Sequence, residues 1–123
     1  MRKEALTQLY KSVADRLTID CDTYINALND WEVWPLIQNN EILGAVIVKE
    51  NELHIGYGTK PKGSIRRHIR EPLAYVLNKY GHAITYVQKD NKLGLNFCKR
   101  LGFVELSTDS VKILLRCERS DYV

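Results

Sequence analysis

Asn91-Lys92-Leu93-Gly94-Leu95-Asn96-Phe97-Cys98-Lys99-Arg100-Leu101-Gly102-Phe103 contains a helix start, a helix stop and the entry to a strand. Asn91 suits the start because its side-chain oxygen can accept from first-turn amides. Phe97 falls on the inward side of the helix that follows, read as Asn91 to Leu101. Gly102 suits the stop because glycine tolerates the left-handed backbone that closes many helices. Strands flank the motif, over 83–88 before it and 103–106 after it. Thr108-Asp109-Ser110 then reads as a turn and 111–117 as a last strand.

Upstream, Ile65, Ile69, Leu73, Val76, Leu77 and Tyr80 recur every three or four residues, so a long helix ends at Gly81. Pro72 within that stripe should kink the helix or mark where its main part begins. Before it, Trp31–Gln38, Ile42–Lys49 and Glu52–Tyr57 read as three strands, joined by two-residue turns at Asn39-Asn40 and Glu50-Asn51. Ile42–Val48 is apolar enough to be buried on both faces. Ala5, Leu6, Leu9, Tyr10, Val13 and Leu17 keep helical spacing over Lys3–Leu17. A short helix over Asp22–Leu28, capped by Asp20 or Asp22, precedes the strands. The order α-α-β-β-β-α-β-α-β-β predicts an α/β fold, with a mixed, mostly antiparallel sheet and helices on both faces. At 123 residues the chain predicts one domain, 1–123.

Hydrophobic content of 45% and charged content of 27% are ordinary for a globular protein, and no apolar run is long enough to span a bilayer. Cys21, Cys98 and Cys117 have no C-x-x-C spacing, which favours reduced thiols in a cytoplasmic setting over a disulfide framework or a zinc site. Met1–Ala5 lacks the apolar stretch of a signal peptide. The net charge of +3 is unevenly spread. Residues 1–58 carry 5 basic and 9 acidic side chains, whereas residues 59–100 carry 10 basic and 2 acidic. Positive charge so concentrated suits a phosphorylated ligand or polyanion, or simply solvated helix faces. Nucleic acid is not expected, because the basic stretch lacks interleaved aromatics. No H-E-x-x-H, G-x-S-x-G, Walker loop or metal-spaced cluster occurs. His68 and His82 read as surface residues.

The Asn91–Phe103 stretch resembles the closing motif of the GNAT superfamily of N-acetyltransferases, written Asn, a few residues, Phe-Tyr, two or three more, then Leu-Gly-Phe. The resemblance extends from about Lys3 to Cys117 and is motif by motif over Glu52–Phe103. It implies the GNAT fold without its usual first strand, acetyl-CoA as cofactor, and acetyl transfer to an unknown amine or protein acceptor. It also implies a pyrophosphate loop at Lys60-Pro61-Lys62-Gly63-Ser64-Ile65-Arg66, with Lys60 at its first position and Gly63 at its first glycine. Amides at such a helix start, helped by the helix dipole, bind phosphate oxygens. Ile65 stands where Gly or Ala is usual and could crowd the diphosphate. Arg66, Arg67 and Arg70 could reach phosphate oxygens; the alternative for all three is an exposed helix face.

On the strand Glu52–Tyr57, which in this family splays from 83–88 to admit the pantetheine arm, Glu52 and His54 share a face. Either could deprotonate the amine, and the alternative for both is a polar side chain facing solvent. Asn91 matches the family asparagine, which the resemblance counts with Lys60, Lys62, Gly63, Ser64, Ile65 and Arg66 among the cofactor-binding residues, and it would cap its helix whatever the function. Cys98 stands where many members place the tyrosine that protonates the departing thiolate; a buried structural thiol is the other reading. The acceptor would lie over the first two helices and the Asn39–Asn40 hairpin.

Lys62–Arg70 is further similar to small GNAT-like proteins of podovirus-type bacteriophages, some described as internal virion or morphogenesis proteins. That likeness implies an alternative function: a catalytically inactive GNAT fold that binds a virion or host partner.

Overall fold

The computed structural model describes residues 1–64 and 66–118, with Arg67 described in its backbone only. Cα packing divides the chain into two compact units. The first comprises Met1–Lys49 and His54–Ile69; the second comprises Glu50–Leu53 and the chain from Arg70 onward.

In the first unit, α1 (Arg2–Val13) buries Ala5, Leu6 and Leu9 on one stripe. The helix tightens into a 3₁₀ turn at Ala14–Arg16, so the regular helix stops short of Leu17. α2 (Cys21–Ala27) is capped by Asp20, whose carboxylate accepts from the Thr23 amide at 2.9 Å. Hydrogen bonding from the Thr23 side chain, and then from its amide, holds the Asp20 carboxyl below its ordinary pKa. β1 (Glu32–Gln38) and β2 (Glu41–Lys49) pair antiparallel from Glu32↔Val48 to Gln38↔Glu41. Asn39 and Asn40 turn between them at φ 52° and 66°. Such a pair of left-handed residues matches the twist of the flanking strands. β3 (Glu52–Tyr57) follows a second turn, at which Glu50 has φ 55°.

Leu43 to Val48 are all buried, as their unbroken apolar run predicts. Ala45 and Ile47 meet Ala5, Leu6 and Leu9 of α1, ringed by Tyr24, Ile25, Leu28, Trp31, Val33 and Ile42. Two glycines are dictated by crowding. A methyl group at Gly56 would run into Ser12 Oγ and lie 2.8 Å from Leu9 Cδ1. One at Gly44 would strike the Gly56 carbonyl oxygen and lie 2.6 Å from Tyr57 Cα.

α3 (Arg66–Tyr80) runs through Pro72 without interruption. The helix therefore starts at Arg66 rather than at the proline. Pro72 withholds an amide at a cost of about 3 kcal/mol. Burial of Ile69, Leu73, Val76 and Leu77 offsets it, each of the four fully or nearly fully removed from water. Gly81, at φ 84°, donates to Leu77 O at 2.8 Å and ends the helix.

In the second unit, β4 (His82–Gln88) pairs parallel to β3 at Glu52↔Ile84 and antiparallel to β6 (Lys112–Glu118) from His82↔Glu118 to Gln88↔Lys112. β5 (Val104–Thr108) lies antiparallel to β6. The strand order is β1-β2-β3-β4-β6-β5. No strand precedes α1 among the described residues. α4 (Lys92–Arg100) ends in a paired closure: Phe103 N donates to Cys98 O and Gly102 N to Lys99 O. Gly102 at φ 104° makes that closure possible, which is why Leu-Gly-Phe stands at this point.

Candidate active site

The connection from β3 to α3 is tied down by both backbone and side-chain hydrogen bonds. Gly58 N and Thr59 N both donate to Leu43 O, at 2.9 and 3.3 Å. Thr59 Oγ1 donates to Gln8 Oε1 of α1 at 3.0 Å. Further on, the Gln38 side-chain amide grips Lys62 twice: Lys62 N donates to Gln38 Oε1 and Gln38 Nε2 donates to Lys62 O, both at 2.9 Å. Ser64 Oγ then accepts from Arg66 N at 3.2 Å.

What remains is a short run of donors. The amides of Lys60, Gly63 and Ser64 have no hydrogen-bond partner among the described residues. Gly63 has φ 74°, and nothing lies within 4 Å of where its side chain would begin. Lys60, Lys62, Gly63, Ser64 and Arg66 are exposed. The loop thus offers free amides, open space and cationic side chains at the start of a 15-residue helix. This donor set fits a diphosphate. Ile65 and the Arg67 side chain lie outside the described residues, so the crowding expected of Ile65 does too. His68, read from sequence as a surface residue, is half-buried, and its Nε2 is buried without a partner among the described residues.

His54 belongs to the same unit as this loop. It is half-buried, and its ring lies against Trp31 with centroids 5.6 Å apart at 52°. Trp31 is held through its backbone. Its amide donates to Leu28 O, and Arg2 donates to Leu28 O at 2.6 Å and to Trp31 O at 2.8 Å. No sequence pattern pairs Trp31 with His54; the contact arises from the fold. Also in this unit, a groove of about 400 Å³ is lined by Glu4, Gln8, Asn40, Glu41, Ile42, Leu43 and Thr59.

Glu52, Asn91 and Cys98 belong to the second unit. Glu52 is half-buried at the parallel junction with Ile84. Asn91 caps α4: its Oδ1 accepts from Gly94 N at 3.0 Å. A methyl at Gly94 would lie 2.5 Å from Asn91 Nδ2, so glycine there makes room for the cap. Asn91→Ala should cost about 1 kcal/mol. In a chain of this size that is a fall in Tm of roughly 3–6 °C by thermal denaturation; an unchanged Tm would show the cap to be idle.

Cys98 is 7% exposed, and burial pushes its thiol up to about 11. It therefore holds its proton at neutral pH. Against an ordinary thiol of about 8.5, giving that proton to a departing thiolate is uphill by roughly two pK units. Among the described residues, no group of three or more His, Cys, Asp or Glu could hold a metal ion. No helix among them is long and apolar enough to cross a membrane.

No protein-family model matches the sequence, and no curated protein sequence matches it. Solved structures do. A spermidine N-acetyltransferase SpeG chimera, from Vibrio cholerae and hSSAT, is 16% identical over 97% of this chain and 88% of its own, with a TM-score of 0.69. PaiA N-acetyltransferase from Thermoplasma acidophilum, in complex with coenzyme A, is 15% identical over 94% and 89%, with a TM-score of 0.64. Campylobacter jejuni N-acetyltransferase PseH, in complex with acetyl coenzyme A, is 16% identical over 80% and 77%, at 0.64. The fold is that of these N-acetyltransferases. An α/β architecture, with a mostly antiparallel six-stranded sheet and four α-helices among the described residues, is thus established. At this level of identity the likeness speaks for the N-acetyltransferase fold and not for the activity.

Proposed function

We propose that this chain is an acyl-CoA-dependent N-acetyltransferase that transfers an acetyl group to an amine. The observation that carries the proposal is the set of amides at Lys60, Gly63 and Ser64 that have no partner among the described residues, placed among exposed Lys60, Lys62 and Arg66 ahead of and at the start of α3. Such a loop can bind phosphate oxygens, and structural relatives are described with coenzyme A or acetyl coenzyme A bound. Acetyl-CoA would supply an acyl group activated as a thioester.

The chain's own residues would do the rest. Gly63 and Ser64 would hold the diphosphate through backbone amides, with Lys60, Lys62 and Arg66 adding charge. Asn91 would keep the start of α4 in place. An amine held as ammonium has no lone pair to attack with, so a base must take its proton. His54, its ring set by Trp31, is our first candidate and Glu52 the second. Cys98 would fill the core of α4, and the leaving thiolate would take its proton from solvent.

Release of free thiol from acetyl-CoA, measured over a panel of amines, tests the reading. Amine-dependent release supports it. If the chain neither binds acetyl-CoA nor releases thiol with any amine or protein acceptor tested, the reading fails, and the alternative is a fold kept for binding a phage virion or host protein.

A further inference from the structure

Gln38 is the last residue of β1, and nothing in the sequence marks it for function. Its side chain nevertheless copies a strand edge. One carboxamide accepts from the Lys62 amide and donates to the Lys62 carbonyl, both at 2.9 Å. Residues 38 and 62 are 24 positions apart, so this contact closes a long stretch of chain. It falls one residue before Gly63, where the backbone turns into the left-handed region. On the other side, the loop is tied by Gly58 and Thr59 to Leu43 O. Pro61, between the two ties, fixes one further backbone angle. The loop is thus pinned at Gly58–Thr59 and at Lys62, while the amides of Gly63 and Ser64 have no hydrogen-bond partner among the described residues and the Cβ position of Gly63 is open.

We infer that Gln38 is a positioning residue for the diphosphate loop, holding Lys62 so that the Gly63 and Ser64 amides are oriented before the ligand arrives. The inference rests on the acetyl-CoA reading given above. Orientation in advance matters because a flexible loop must be ordered at the moment of binding, which subtracts from affinity. No other side chain can make this pair of bonds from position 38. Glutamate keeps the acceptor for Lys62 N but repels Lys62 O. Methionine keeps the bulk and loses both bonds. Asparagine falls a methylene short.

Two measurements on the full chain test this. The first is amide hydrogen exchange without ligand. Lys62 N should exchange faster in Gln38→Met than in the wild type, while the Gly58 and Thr59 amides keep their protection. The second is calorimetric titration with acetyl-CoA. Gln38→Met should bind roughly fivefold to tenfold more weakly, about the worth of one or two exposed hydrogen bonds. Gln38→Glu should bind at least as weakly as Gln38→Met, because it sets a carboxylate against Lys62 O and near the diphosphate. In turnover, KM for acetyl-CoA should rise and kcat should hold. Equal affinity of the wild type and Gln38→Met, or unchanged exchange at Lys62, overturns this inference alone. A wild-type chain that gives no heat with acetyl-CoA overturns the reading it rests on and this inference with it.

Discussion

Gly44→Ala should destabilise the protein by about 3 kcal/mol, the upper part of the range for overpacked cores. The new methyl group would meet backbone, not a side chain that can swing away. The Gly56 carbonyl oxygen and Tyr57 Cα stand in its path, and Tyr57 Cβ would lie 2.8 Å off. β2 is buried on both faces at this point, so it cannot retreat without opening the core behind it. For a chain of 123 residues the loss corresponds to a fall in Tm of roughly 10–15 °C. Thermal denaturation followed by circular dichroism measures it. A fall of less than about 3 °C would mean that β2 and β3 do not approach as closely as described.

His54→Gln should lower kcat by about 100-fold near neutral pH and leave acetyl-CoA affinity unchanged, the size of effect seen when a general base is removed. Glutamine keeps the bulk against Trp31 and removes the imidazole. The pH profile separates this loss from mere misfolding. An alkylamine titrating near 10.4 is free base only about one part in a thousand at pH 7.4. Without a base, the variant depends on that free fraction, which rises about tenfold per pH unit. Its rate should therefore climb toward the wild type as pH rises. A wild-type rate in His54→Gln, with a loss in Glu52→Gln instead, would move the role to Glu52.

Much of the fold was legible because its signals are local. Asn91, Gly94 and Gly102 each meet a backbone requirement within a few residues, as do Asn39 and Asn40 in their turn. β2 was legible because a strand covered on both faces must be apolar throughout. Pro72 was harder to read. Proline usually ends a helix, and only the burial of the residues around it explains why α3 continues. The loop Lys60–Arg66 could be found by its charge and glycine, but not by what holds it. Gln38 and Trp31 reach their partners from 24 and 23 positions away, and no periodicity encodes such contacts. His68 looked like one more polar residue of a basic helix, and the fold half-buries it.

Calorimetric titration of the wild-type chain and of Gly63→Val with acetyl-CoA bears most directly on the proposed site. Gly63 has open space around it, so valine should disturb the core little. At φ 74°, however, it imposes a strain of about 1–2 kcal/mol and shields the amides beside it. The predicted result is saturable binding by the wild type, with a dissociation constant in the range of roughly 1 μM to 1 mM usual for enzyme substrates, weakened about tenfold or more in Gly63→Val. No heat from the wild type at millimolar acetyl-CoA, or equal affinity in the two proteins, would contradict a diphosphate site at Gly63.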